Sequence, residues 1–138
     1  MAGKKKILIV DDERDLVVNV AMRLEHAGYE VLSSYDGVHA FEQVRKEKPD
    51  LIILDIMLPK MDGYKVCGLL KKDARYARIP IIMFTAKAHE ADEKLAREVG
   101  ADAYIIKPFE AKVLMAKIAE LLESRKAEGG YSIVEGQA

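Results

Sequence analysis

Five side chains in this 138-residue sequence have the types that phosphoryl chemistry needs, and each follows an apolar run. Asp11 and Asp12 follow Ile7 to Val10, Asp55 follows Leu51 to Leu54, Thr85 follows Ile79 to Phe84, and Lys107 follows Ala103 to Ile106. Three carboxylates in one pocket repel one another. At about 4–5 Å and an effective dielectric near 20, each pair costs about 3–4 kcal/mol before relaxation. A hard cation makes such a cluster tolerable. Carboxylates without histidine or thiolate suit Mg²⁺, which binds through one or two of them and keeps several waters. A carboxylate beside that ion can accept a phosphoryl group as an acyl phosphate. Metal and ammonium then offset charge on the phosphoryl oxygens, and a hydroxyl hydrogen-bonds one of them. Taken singly, each acid is as well explained as a helix cap or loop acid; their coincidence on separate strand ends argues for a common purpose.

That coincidence requires every strand to point the same way. The apolar runs read as buried parallel strands: Ile7 to Val10, Leu51 to Leu54 and Ile79 to Phe84, with weaker candidates at Tyr29 to Ser33 and Ala103 to Ile106. Between them lie helical patterns. Val17, Val20, Ala21 and Leu24 mark the first, closed by Gly28. Asp36 caps a second that buries Ala40, Phe41 and Val44 and stops before Pro49. Asp62-Gly63 opens a third through Val66, Leu69 and Leu70; a fourth spans Glu90 to Val99; a fifth runs from Glu110 to Ser124. Strict alternation of five strands and five helices gives an α/β domain with a parallel, doubly wound sheet. Right-handed crossovers then bring all strand carboxyl ends to one edge, where open α/β sheets bind ligands. The fourth helix expects Ala88, Ala91, Leu95, Ala96 and Val99 to face inward, a thin apolar face, with Glu90–Lys94 and Glu93–Arg97 pairs outside. Residues 1–125 form the domain, and 126–138, with Gly129-Gly130 and Gly136, read as a flexible tail or linker stub.

Composition excludes several classes. A net charge of -1 argues against binding nucleic acid through bulk charge, and the Lys4-Lys5-Lys6 run reads as a solvated cap on the first strand. Cys67 is the lone cysteine, which rules out an internal disulfide and suits a packing role. His26, His39 and His89 lack metal-like or triad-like spacing. No apolar run reaches the roughly 18–20 residues of a membrane span, nor is the first one long enough for a secretory signal, so a cytoplasmic protein is expected.

The sequence resembles a response-regulator receiver domain of two-component signalling. The likeness rests on Ile-Leu-Ile-Val-Asp-Asp-Glu (Ile7 to Glu13), Leu54-Asp55-Ile-Met-Leu-Pro59 with Met61-Asp62-Gly63, Phe84-Thr85-Ala86, and Lys107-Pro108-Phe109, and covers roughly residues 5–124. It implies a flavodoxin-like strand order 2-1-3-4-5. It also implies that Asp55 is the phosphoacceptor, that Asp12 and Asp55 ligate Mg²⁺ with the Met57 carbonyl, and that Asp11 acts chiefly through water. Thr85 and Lys107 would contact phosphoryl oxygens. Tyr104 falls where the family places an aromatic ring that turns inward on activation, and Lys107-Pro108 falls at a cis bond. Met57 and Lys87 occupy two variable positions that affect phosphoryl lifetime.

The implied function is transfer of a phosphoryl group from a histidine kinase, a phosphotransfer protein or a small acyl phosphate to Asp55. This would switch the surface of the fourth helix, fifth strand and fifth helix between partner-binding states, a signalling role rather than an enzyme's. The implied downstream partner is another protein, with no direct contact to nucleic acid or membrane; a phosphorylation-dependent homodimer is left open. One rival is a haloacid-dehalogenase-type phosphohydrolase, but that family's second acid, two residues after the nucleophile, is replaced here by Met57. Another rival is a receiver-like module that no longer accepts phosphate; the intact set of site residues speaks against it. The chain also fits the receiver fragment of a longer transcriptional regulator, although a stand-alone receiver is the simpler expectation.

Overall fold

The computed structural model describes residues 3–86, 89–124 and 132–134. The elements run β1 (Lys6–Val10), α1 (Arg14–His26), β2 (Glu30–Ser34), α2 (Gly37–Glu47), β3 (Leu51–Asp55), α3 (Gly63–Lys71), β4 (Ile81–Thr85), α4 (Glu90–Glu98), β5 (Ala103–Ile106), α5 (Ala111–Ser124) and β6 (Ser132–Val134). The sheet order is β2-β1-β3-β4-β5-β6, and neighbouring strands pair in parallel. The five expected strands thus occur in the order 2-1-3-4-5.

The period-two geometry of a strand explains how both faces are covered. Ile7 and Ile9 of β1, with Leu51 and Ile53 of β3, pack against Val17 and Leu24 of α1 and Leu114 and Ile118 of α5. Leu8, Val10, Ile52 and Leu54 point the other way, to Val44 of α2, Val66 and Leu70 of α3, and Ala96 of α4. The sheet is doubly wound. Helix ends follow local chemistry. Asp36 and Asp62 accept the main-chain N–H groups of His39 and Lys65, while Gly28 (φ 101°) and Gly100 (φ 98°) turn the chain in the left-handed region after α1 and α4.

One strand is additional, and three expectations need correction. A sixth strand joins the edge, with Ser132, Ile133 and Val134 beside Ala103, Tyr104 and Ile105. A triplet among glycines is too short to announce itself, since strands usually run about 5–6 residues. The other residues of the expected 126–138 tail lie outside the described residues. On α4 the expected inward face divides: Ala96 is buried and Val99 partly so, but Ala91 and Leu95 are exposed. Ala88 is outside the described residues. Glu93 pairs with Arg97 at 3.0 Å, yet Glu90 and Lys94 form no pair. On α3, Cys67 takes the buried position and Leu69 is exposed, because the helix turns its Val66–Cys67–Leu70 stripe inward. Cys67 packs as expected of a small apolar residue, and burial pushes its thiol up to about 12.

Candidate functional site

The parallel sheet delivers its strand ends to one edge. Asp11 lies one residue past β1, wholly buried, and its main-chain N–H donates to the Ser34 carbonyl of β2. Asp55 is the last residue of β3 and only 6% exposed. Thr85 closes β4, buried at the pocket wall, and its carbonyl accepts the main-chain N–H of Lys107 just past β5. The Lys107-Pro108 bond is cis.

Lys107 is the hub. Its Nζ donates to Asp11 Oδ2 at 2.7 Å, Glu13 Oε1 at 3.1 Å and Asp55 Oδ2 at 3.4 Å. It also lies 4.9 Å from the centre of the Phe84 ring. Burial opposes its charge, but the bond to Asp11 and the charge of Asp55 outweigh it and hold the ammonium above its ordinary pKa. Asp55 moves the other way for a carboxylate. Burial and the nearby charge of Asp11 outweigh Lys107 and raise it from 3.8 to about 6. Asp55 Oδ1 also accepts the Met57 main-chain N–H at 3.2 Å.

Asp11, Asp12 and Asp55 each offer an oxygen, and these lie within 4.8 Å of one another. Asp12 is exposed, so the cluster opens to solvent on its side. A cavity of about 720 Å³ sits over it, lined by Asp12, Glu13, Asp55, Met57, Tyr64, Thr85 and Lys107 among others. All-oxygen donors, one nearly buried acid left with a raised pKa, and open space on one side fit a divalent hard cation that keeps waters.

The backbone around Asp55 leaves no slack. A Cβ on Gly63 would come 2.1 Å from the Asp55 carbonyl oxygen and 2.8 Å from Ile56 Cα. Glycine is required here by close approach, and the Gly63 N–H donates to Ile56 O at 2.8 Å.

Chain segments far apart in sequence thus meet at one sheet edge. The family model for the response regulator receiver domain matches residues 7–119. The chain belongs to that family. A receiver domain protein (CheY-like) from Methanospirillum hungatei JF-1 superposes with a TM-score of 0.85 at 32% identity, covering 92% of this chain and 100% of that one. The receiver domain of a sensor histidine kinase from Pseudomonas aeruginosa PAO1 superposes with a TM-score of 0.81 at 29% identity, covering 89% and 100%; it is described with a magnesium ion coordinated in the active site cleft. Among curated proteins, the alkaline phosphatase synthesis transcriptional regulatory protein PhoP of Bacillus subtilis (strain 168) is 45% identical over 118 residues, 86% of this chain but 48% of its own length. The chain spans about half the length of the curated relatives it matches.

Of the expected receiver residues, Asp11, Asp12, Asp55, Thr85 and Lys107 converge at the sheet edge. Met57 reaches the pocket through its exposed position after Asp55. Lys87 lies outside the described residues. Tyr104 does not line the cavity and is fully buried in the core on the α2, α3 and α4 side. Two pocket residues were not anticipated. Glu13 is the third acceptor of Lys107, and its place directly after Asp11-Asp12 was the available signal. Tyr64 gave none, since an aromatic residue on a helix reads as packing. Among the described residues, no helix is long and apolar enough to cross a membrane.

Proposed function

We propose that this receiver accepts a phosphoryl group on the Asp55 carboxylate from a phosphohistidine of a partner kinase or phosphotransfer protein, or from a small acyl phosphate. An Asp55 oxygen bonds to phosphorus as the bond from phosphorus to the donor nitrogen or oxygen breaks. Asp12, Asp55 and the Met57 carbonyl would hold Mg²⁺, with Asp11 acting through water, and the ion would supply positive charge to offset that on the phosphoryl oxygens. Lys107 gives up its long contact with Asp55 to pair with a phosphoryl oxygen, and Thr85 supplies a hydroxyl to another. The new charge shifts the population of α4, β5 and α5 toward the state that a downstream protein binds.

The observation that carries this reading is Asp55 itself: a nearly buried acid at a strand end, facing an open cavity, with a lysine and two further acids around it. Intact mass after treatment with acetyl phosphate tests it. One phosphoryl group per chain is expected with Mg²⁺ and none with chelator. Sustained hydrolysis of a chromogenic phosphate ester would instead favour a phosphohydrolase. A second reading, the receiver part of a longer transcriptional regulator, is favoured by the length and names of the curated relatives. The intact mass of the protein isolated from its cell distinguishes the two.

A further inference from the structure

We infer that Tyr64 is a positioning residue that ties α4 to the phosphoryl pocket. The inference rests on the phosphoacceptor reading and extends it.

Tyr64 follows Gly63, the residue pressed against the Asp55 carbonyl. The Gly63 N–H is bonded to Ile56 O, so the start of α3 is fixed to the backbone that carries the acceptor. The Tyr64 ring then lines the cavity, packed against the core. Its hydroxyl donates to the Asp92 carbonyl oxygen at 3.0 Å and lies 3.3 Å from Asp92 Oδ1, in the first turn of α4. Burial and the Asp92 charge keep that hydroxyl protonated well above the usual tyrosine range, so it stays a donor.

The rest of α4 is held thinly. Ala96 is its single buried residue, and at its far end the Cys67 thiol makes a 3.6 Å contact with Val99 O. Asp55, Gly63, Tyr64 and Asp92 therefore form one connected path, each member in contact with the next. A shift of the Asp55 backbone on phosphoryl binding moves Gly63, which has no clearance, and Tyr64 carries the movement to the loosely seated helix. The path is physical because its members touch.

The test is hydrogen exchange over residues 90–98 in the full chain, with Mg²⁺ and with or without saturating beryllofluoride as phosphoryl analogue. In the parent, beryllofluoride changes exchange across α4. In Tyr64→Phe, α4 exchanges about fivefold faster without the analogue, the factor one ordinary hydrogen bond represents. The analogue-induced change there falls below about half of the parent's. A full α4 response in Tyr64→Phe overturns the tether. A parent that binds the analogue with α4 unchanged also overturns it. A parent that binds none sinks the phosphoacceptor reading, and the tether with it.

Discussion

At the scale of single residues, the burial of Asp55 beside Asp11 carries a stability cost. The raised pKa of Asp55 means the native state holds the proton more tightly than the unfolded chain. As far as this group is concerned, the metal-free fold is most stable below about pH 4, loses stability between about pH 4 and 6, and stays at the lower level above that. A rise from 3.8 to about 6 corresponds to about 3 kcal/mol. Asp55→Asn carries no such charge. In chelator, urea denaturation is expected to show the variant more stable by up to about 3 kcal/mol at pH 7.5 and by less than about 0.5 at pH 4. Mg²⁺ should close much of the gap at pH 7.5 by stabilising the parent alone. A variant no more stable than the parent at pH 7.5 contradicts the crowded-acid picture.

At the scale of elements, the site depends on how tightly α3 seats on the end of β3. Gly63→Ala puts a methyl group where the Asp55 carbonyl stands, so β3 or α3 has to move. The expected loss is about 2–4 kcal/mol in urea denaturation, with slower labelling of Asp55 by acetyl phosphate even where the variant remains folded. Full stability and full labelling would mean that the contact relaxes freely. Elements differ in how plainly the sequence announced them. Leu51 to Leu54 and Ile81 to Phe84 were legible because both of their faces are buried and every position is apolar. Glu30–Ser34 was weaker because it lies at an edge and is buried fully only at Ser34. The face of α4 was misread because alanines give little periodic contrast, so Ala91 and Leu95 could not be told from Ala96 without the sheet in place. The convergence of five strand-end residues on one sheet edge was readable from type and position. Glu13 and Tyr64 were not assigned, because their roles depend on where Lys107 reaches and where α3 turns.

At the scale of the whole molecule, two cores lie on either side of one sheet whose edge carries the acid cluster. The edge strand β6 adds three residue pairs to β5 and no others. A chain ending at Ser124 is therefore expected to keep the fold and the acceptor, losing about 1–3 kcal/mol from a few edge hydrogen bonds. Urea denaturation and acyl-phosphate labelling of the shortened chain check this. Loss of folding would make β6 part of the domain rather than an addition to its edge.

On the function proposed, distant segments brought together at one sheet edge make Asp55 the single phosphoryl acceptor, and peptide mapping addresses that most directly. After acetyl phosphate and Mg²⁺, the label is expected on the peptide bearing Asp55 and absent from Asp55→Asn. A label on Asp11, Asp12 or Glu13 in the parent, or parent-level labelling of the variant, would contradict it.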